Sequence, residues 1–110
     1  MPGKSAAEAI IAAIRAVPGG QVASYGEIAR RAGLPGRARL VARTLAGNDD
    51  PCLPWHRIVR ADGRIAFPAH HAQFAEQRQR LNAEGVLVRN GRVLGLRAAP
   101  TLDEVLWSQL

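Results

Sequence analysis

With 110 residues, 47% of them hydrophobic, the chain has the length and apolar content of one domain around one core. Fifteen Lys and Arg against nine Asp and Glu leave a formal charge of +6, a balance that in a compact domain favours a polyanionic partner, nucleic acid first. The lone cysteine, Cys52, excludes an internal disulfide framework and a cysteine-rich zinc site; no apolar run reaches the roughly 18 residues that span a bilayer or forms the core of a secretory signal, so a cytoplasmic protein without membrane association is expected.

Ser5 and Glu8 have capping-box spacing, and Ile10, Ile11, Ile14 and Val17 recur at helical intervals, which predicts a helix over about 5–17 stopped by Pro18, Gly19 and Gly20. Gln21 to Ala23 read as a very short strand or an extended link. Ser24 and Glu27 repeat the capping signature, so a second helix is expected from Tyr25 to Ala32, with Gly33 as its left-handed stop. After Gly33-Leu34-Pro35-Gly36, a third helix is expected from Arg37 to Ala46, and the pair reads as a helix-turn-helix over about 24–47. On its wheel, Leu40, Val41, Thr44 and Leu45 share one side, to pack inward. Ala38, Ala42 and Ala46, edged by Arg39 and Arg43, share the other. A methyl face edged by guanidinium groups suits close approach to a sugar-phosphate wall.

A polar turn, Asn48 to Pro51, leads to Pro54-Trp55-His56-Arg57-Ile58-Val59. This run would set an indole and an imidazole side by side at the mouth of a strand, able to grip a small planar ligand. A hairpin is expected next, with 58–60 and 64–66 flanking Ala61-Asp62-Gly63 and Phe67-Pro68 closing it. A helix from about His70 to Glu84 carries the stripe Phe74, Arg78 and Leu81, and Gly85 stops it. Val86 to Val88 and Arg92 to Leu94 flank Arg89-Asn90-Gly91 as a second hairpin, and a last helical turn is expected at 102–106, with Trp107 packing back. Helix-turn-helix followed by hairpin gives an α+β, winged-helix-like DNA-binding domain, whose pattern alone points to a third helix in the major groove.

Residues for catalysis are few. No sequence neighbour is placed to activate Cys52; His56, His70 and His71 lack metal spacing, and no Gly-rich phosphate loop is present, so no metal or cofactor is expected. Recognition of a damaged base needs other parts: a flat stacking surface, a side chain to fill the vacancy and a group that turns the backbone. Trp55 offers the first, Arg39 or Arg43 the second and Tyr25 the third.

The runs VASYGEIARRAGLPGRARLVARTLAGN and LPWHRIVRADG, followed by QRQRLNAEGV, resemble the DNA-binding domain of O6-alkylguanine-DNA alkyltransferases over about residues 5–88. The family's Pro-Cys-His-Arg acceptor motif here has Trp55 in place of cysteine. The resemblance is therefore to the alkyltransferase-like branch, and it implies a protein without alkyltransferase activity, since an indole is a poor nucleophile toward an unactivated alkyl carbon. It further implies binding of O6-alkylguanine in duplex DNA through the minor groove, flipping of the base and hand-over to nucleotide-excision repair proteins. By the same resemblance Tyr25 rotates the target phosphate, Arg39 is the arginine finger, and Ala38, Ala42 and Arg43 lie along the DNA. Trp55, His56, Arg57 and Val59 belong to the lesion pocket in segment 54–60, and Glu84 is the retained partner of His56 in a relay without a thiol. Many members carry a Gly/Ser-rich or basic segment at the pocket lip, where this chain has Phe67, Pro68, Ala69, His70 and His71. The resemblance implies the DNA-binding domain alone, residues 1–110, acting as a monomer. A winged-helix transcription regulator and an alkyltransferase using Cys52 are the alternative readings.

Overall fold

The computed structural model describes residues 5–94; the turn expected at 102–106 and Trp107 lie outside the described residues. Helix α1 runs Ala6–Arg15, and the Ser5 hydroxyl accepts from the Glu8 amide at 3.2 Å, as the capping spacing requires. Its buried side chains are Ile10 and Ile14. Strand β1 is Ala23–Ser24, and Ser24 at once caps α2, Tyr25–Arg31, accepting from the Glu27 amide at 3.1 Å. Gly33 takes φ +79°, the left-handed conformation that ends a helix without a Cβ clash.

Helix α3 is Ala38–Ala46, with Arg37 as an N-cap residue that makes no side-chain cap bond. It packs chiefly on α2 and also on α1. The expected wheel is observed but for Ala38, which is half-buried: Val41 is fully buried, Leu40, Thr44 and Leu45 are half-buried, and Arg39, Ala42, Arg43 and Ala46 are exposed. Ile10, Ile14, Val17, Ala23, Ile28, Ala29, Val41, Leu53 and Ile58 form the main core beneath these three helices.

The Trp55 stretch stands at the mouth of a strand, as expected: Trp55–Arg57 form one 3-10 turn, and the Ile58–Val59 pair that follows is extended, as β2. The hairpin expected over 58–66 is corrected by the pairing: β2 runs parallel to β1, Ala23 opposite Ile58 and Ser24 opposite Val59. Ile58 and Val59 are both completely buried, which suits a strand covered on both faces and not a half-solvated hairpin arm. Of the expected hairpin, the turn alone remains, closed by Arg60 N–H to the Arg64 carbonyl at 2.8 Å. Arg64 then bridges to Arg92, and the Ile65 amide donates to the Gly91 carbonyl.

Helix α4, Ala72–Ala83, starts two residues later than expected because His71 is its N-cap, its Nδ1 accepting from the Gln73 amide at 3.1 Å. Its buried residues are Gln77 and Leu81; of the expected stripe, Leu81 is buried, Phe74 half-buried and Arg78 exposed. The second hairpin is as expected: β3, Val88–Arg89, pairs antiparallel with β4, Arg92–Val93. Asn90 (φ 52°) and Gly91 (φ 75°) form the two-residue turn with positive φ at both positions that matches strand twist. Val59, Leu81, Val86 and Val93 form a second, smaller cluster under this wing. The described residues thus have the expected α+β, winged-helix-like architecture.

Candidate nucleic-acid interface

The parallel ladder brings two distant segments together. Tyr25 directly follows β1 and the Trp55–Arg57 turn directly precedes β2, so both enter the same cleft, of about 510 Å³. That volume is within the range of sites for small molecules. Ala42, Leu45 and Ala46 of α3 line one side, and Asn48, Asp49, Asp50 and Pro51 continue the wall. Ala66, Phe67 and Gln73 complete it from the segment leading into α4.

Trp55 is half-buried and held on two sides. The Phe67 ring meets it edge to face at a centroid distance of 6.0 Å, and the Arg80 guanidinium lies 5.7 Å from its ring centre in a cation–π contact. Phe67 in turn stacks on His71 at 5.2 Å. The expected pocket lip is therefore aromatic, with Phe67 on the cleft and His71 behind it.

Beneath the cleft the side chains serve the turn itself. Gln77, 1% exposed, donates from Nε2 to the carbonyls of His56 (3.0 Å) and Ile58 (2.9 Å), fastening the Trp55 turn to α4. Arg57 donates from Nε to Glu84 Oε1 at 3.0 Å, from Nη2 to Oε2, and from Nη1 to the Val17 carbonyl at 2.9 Å. This two-pronged pair, formed while both side chains are mostly buried, holds the Glu84 carboxyl down at about 2 against the upward push of burial; the nearby His56 imidazole adds to the lowering. His56 is buried, with Nε2 3.1 Å from Glu84 Oε2, yet neither ring nitrogen has an aligned hydrogen-bond partner among the described residues. Burial raises the Tyr25 phenol, so it stays protonated and can donate at neutral pH.

Of the residues singled out in the sequence, Tyr25, Ala42 and Trp55 line the cleft. His56, Arg57, Val59 and Glu84 are not among its lining residues; they form the layer that supports the turn. Ala38, Arg39 and Arg43 border a separate groove at the start of α3, and neither arginine makes a side-chain hydrogen bond or ion pair among the described residues. Both are exposed and free to meet an outside anion. Cys52 is exposed and is not among the lining residues of the cleft.

Sequence reasoning missed Gln77, because a glutamine in a helical stripe reads as solvated, and the Asn48–Pro51 wall, because a polar turn reads as a connection. Asp50 organises that wall: Oδ1 accepts from the Cys52 amide and Oδ2 from Arg15, both at 2.9 Å, which lowers its pKa. Among the described residues no group of His, Cys, Asp and Glu could hold a metal, and no helix is long and apolar enough to cross a membrane.

The fold and the site together define a helix-turn-helix domain with a wing, a free arginine edge on its third helix and an aromatic cleft below. Residues 5–86 match the family described as the DNA-binding domain of 6-O-methylguanine DNA methyltransferase. A Vibrio parahaemolyticus protein named DNA base-flipping protein is 40% identical over 90 residues, covering 80% of this chain and 87% of its own length. Alkyltransferase-like protein 1 of Schizosaccharomyces pombe is 37% identical over 75 residues, 67% of this chain and 69% of that one. The crystal structure of S. pombe Atl1 in complex with damaged DNA containing O6-carboxymethylguanine matches with a TM-score of 0.71 at 32% identity, over 81% of this chain and 83% of that one. The chain belongs to this family of DNA-binding domains and, within it, is an alkyltransferase-like protein.

Proposed function

We propose that this protein recognises O6-alkylguanine in duplex DNA, lodges the flipped base in the cleft beside Trp55 and leaves the alkyl group in place. The observation that carries the reading is the convergence of Tyr25, Ala42 and Trp55 on one cleft of ligand size. In this reading α3 enters the minor groove, where its alanine face permits close approach, and Arg39 occupies the vacated place in the stack. The protonated Tyr25 phenol donates to the target phosphate, and the indole supplies a stacking face worth roughly 1–3 kcal/mol. Trp55, at the position of the acceptor cysteine, gives no nucleophile, so the bound lesion is a flag. Its reader belongs to nucleotide-excision repair, and one domain acting as a cytoplasmic monomer suffices. The names of the relatives, a base-flipping protein and an alkyltransferase-like protein bound to damaged DNA, support this reading.

The test is an equilibrium titration against two duplexes identical except for one O6-methylguanine, at one fixed salt concentration. A clear preference for the lesion is expected. Equal affinity would overturn the reading and leave a basic winged-helix domain, for which a regulator's sequence preference would be the next question.

A further inference from the structure

The protein carries +6 overall, yet the cleft has the opposite character. Its lining includes two carboxylates, Asp49 and Asp50, and no lysine, arginine or histidine. Asp50 is neutralised by Arg15 and by the Cys52 amide. Asp49 is exposed and makes no side-chain hydrogen bond or ion pair among the described residues. Two cations beside the cleft are paired, Arg15 with Asp50 and Arg80, over the Trp55 ring, with Glu76 at 3.0 Å; Arg43, next to Ala42, is exposed and not among the lining residues. The remaining walls at the lip are the Trp55 and Phe67 rings, with His71 stacked behind Phe67 and outside the lining.

We infer that the cleft selects its O6 substituent by charge: Asp49, unopposed by any cation in the lining, and the aromatic lip of Trp55 and Phe67 admit neutral alkyl and benzyl groups and exclude anionic ones such as carboxymethyl. This rests on the lesion-binding reading above and adds the class of lesion. A substituent carboxylate entering this cleft meets a like charge and loses its hydration with no donor of opposite charge to replace it. A neutral group meets ring faces and alanine methyls and gains by leaving water. The S. pombe relative crystallised with O6-carboxymethylguanine is only 32% identical to this chain, so its pocket does not fix the lining here.

The experiment titrates the protein and its Asp49→Asn variant against four otherwise identical duplexes, carrying guanine, O6-methylguanine, O6-benzylguanine and O6-carboxymethylguanine, at one salt concentration. The wild type is expected to bind the methyl and benzyl lesions at least about tenfold more tightly than the carboxymethyl lesion. Removing a negative charge beside DNA strengthens all four complexes, so the decisive quantity is a ratio. In Asp49→Asn the methyl-to-carboxymethyl ratio is expected to fall to within about threefold of unity. Equal affinity of the wild type for methyl and carboxymethyl lesions would overturn the inference. So would a ratio left unchanged in a variant whose circular dichroism and melting match the wild type. Failure of the underlying reading has a different signature: no lesion duplex would then bind better than the guanine duplex.

Discussion

The guanidinium of Arg57 holds both carboxylate oxygens of Glu84 while a third hydrogen bond ties it to the carbonyl of Val17, two residues past α1. One ion pair thereby joins the first helix, the Trp55 turn and the end of α4. Glu84 titrates near 2, below its ordinary 4.5, so its stabilisation is fully present above pH 4.5 and is lost as the pH falls through about 2. Glu84→Gln is expected to lower stability at neutral pH by on the order of 2 kcal/mol, because it leaves a mostly buried guanidinium without its counter-charge. It should also flatten the loss of stability between pH 4.5 and 2. Urea titrations of both proteins across that range check the sign; an unchanged acid limb would remove Glu84 as its source.

Arg39 and Arg43 edge the same exposed face of α3, and the proposed reading gives them different tasks, Arg39 in the stack and Arg43 on phosphate. Arg39→Ala is expected to weaken lesion binding more than Arg43→Ala, and the excess should persist at high salt, where phosphate contacts are screened. Matching losses that vanish together as salt is raised would show two phosphate contacts and no finger.

Gln77 offers a test of the support beneath the cleft. Gln77→Leu keeps the side chain's bulk but leaves the carbonyls of His56 and Ile58 buried without their donor, a loss of about 1–3 kcal/mol for each group left unpaired. The melting temperature should drop. Affinity for a lesion duplex should fall more than affinity for undamaged DNA, because the Trp55 turn loosens while the arginines of α3 remain. An equal fall on both duplexes would separate the Gln77 clamp from the cleft.

Trp55→Cys removes the indole and its contacts with Phe67 and Arg80 but leaves Tyr25, Ala42 and Phe67 on the cleft. Lesion affinity is expected to stay within about tenfold of the wild type, roughly 1.4 kcal/mol. A loss of a hundredfold or more would make the indole the main holder of the base.

What the chain discloses in one dimension is local. Ser5 with Glu8, Ser24 with Glu27, Gly33 and Asn90-Gly91 each act within a few residues, and the caps, stop and turn they encode are all present. The periodicity of α3 was legible for the same reason, since its burial alternates with the helical repeat. The partner of Ile58-Val59 was not. A continuous apolar pair suits either a hairpin or a covered parallel strand, and only contact with Ala23-Ser24, some 35 positions away, decides between them. Gln77 was hidden by its own chemistry: its inward position makes sense only once the carbonyls of His56 and Ile58 are seen to lie within its reach. Tyr25 and Trp55 were found through motif resemblance, and nothing in their spacing alone placed them on one cleft.

The two-residue ladder between β1 and β2 has a kinetic consequence. Tyr25 is one peptide bond beyond one strand and Trp55 opens the single turn that leads into the other, so two walls of the cleft are set by the same few backbone hydrogen bonds that close the core. Their separation is a property of the folded chain before any ligand arrives. In the proposed reading, capture demands little rearrangement of the protein, and the slow event would belong to the duplex, which must unstack and release a nucleotide. Lesions that weaken their own base pair would be taken up fastest, and discrimination would begin in the association rate, before the cleft has touched the base.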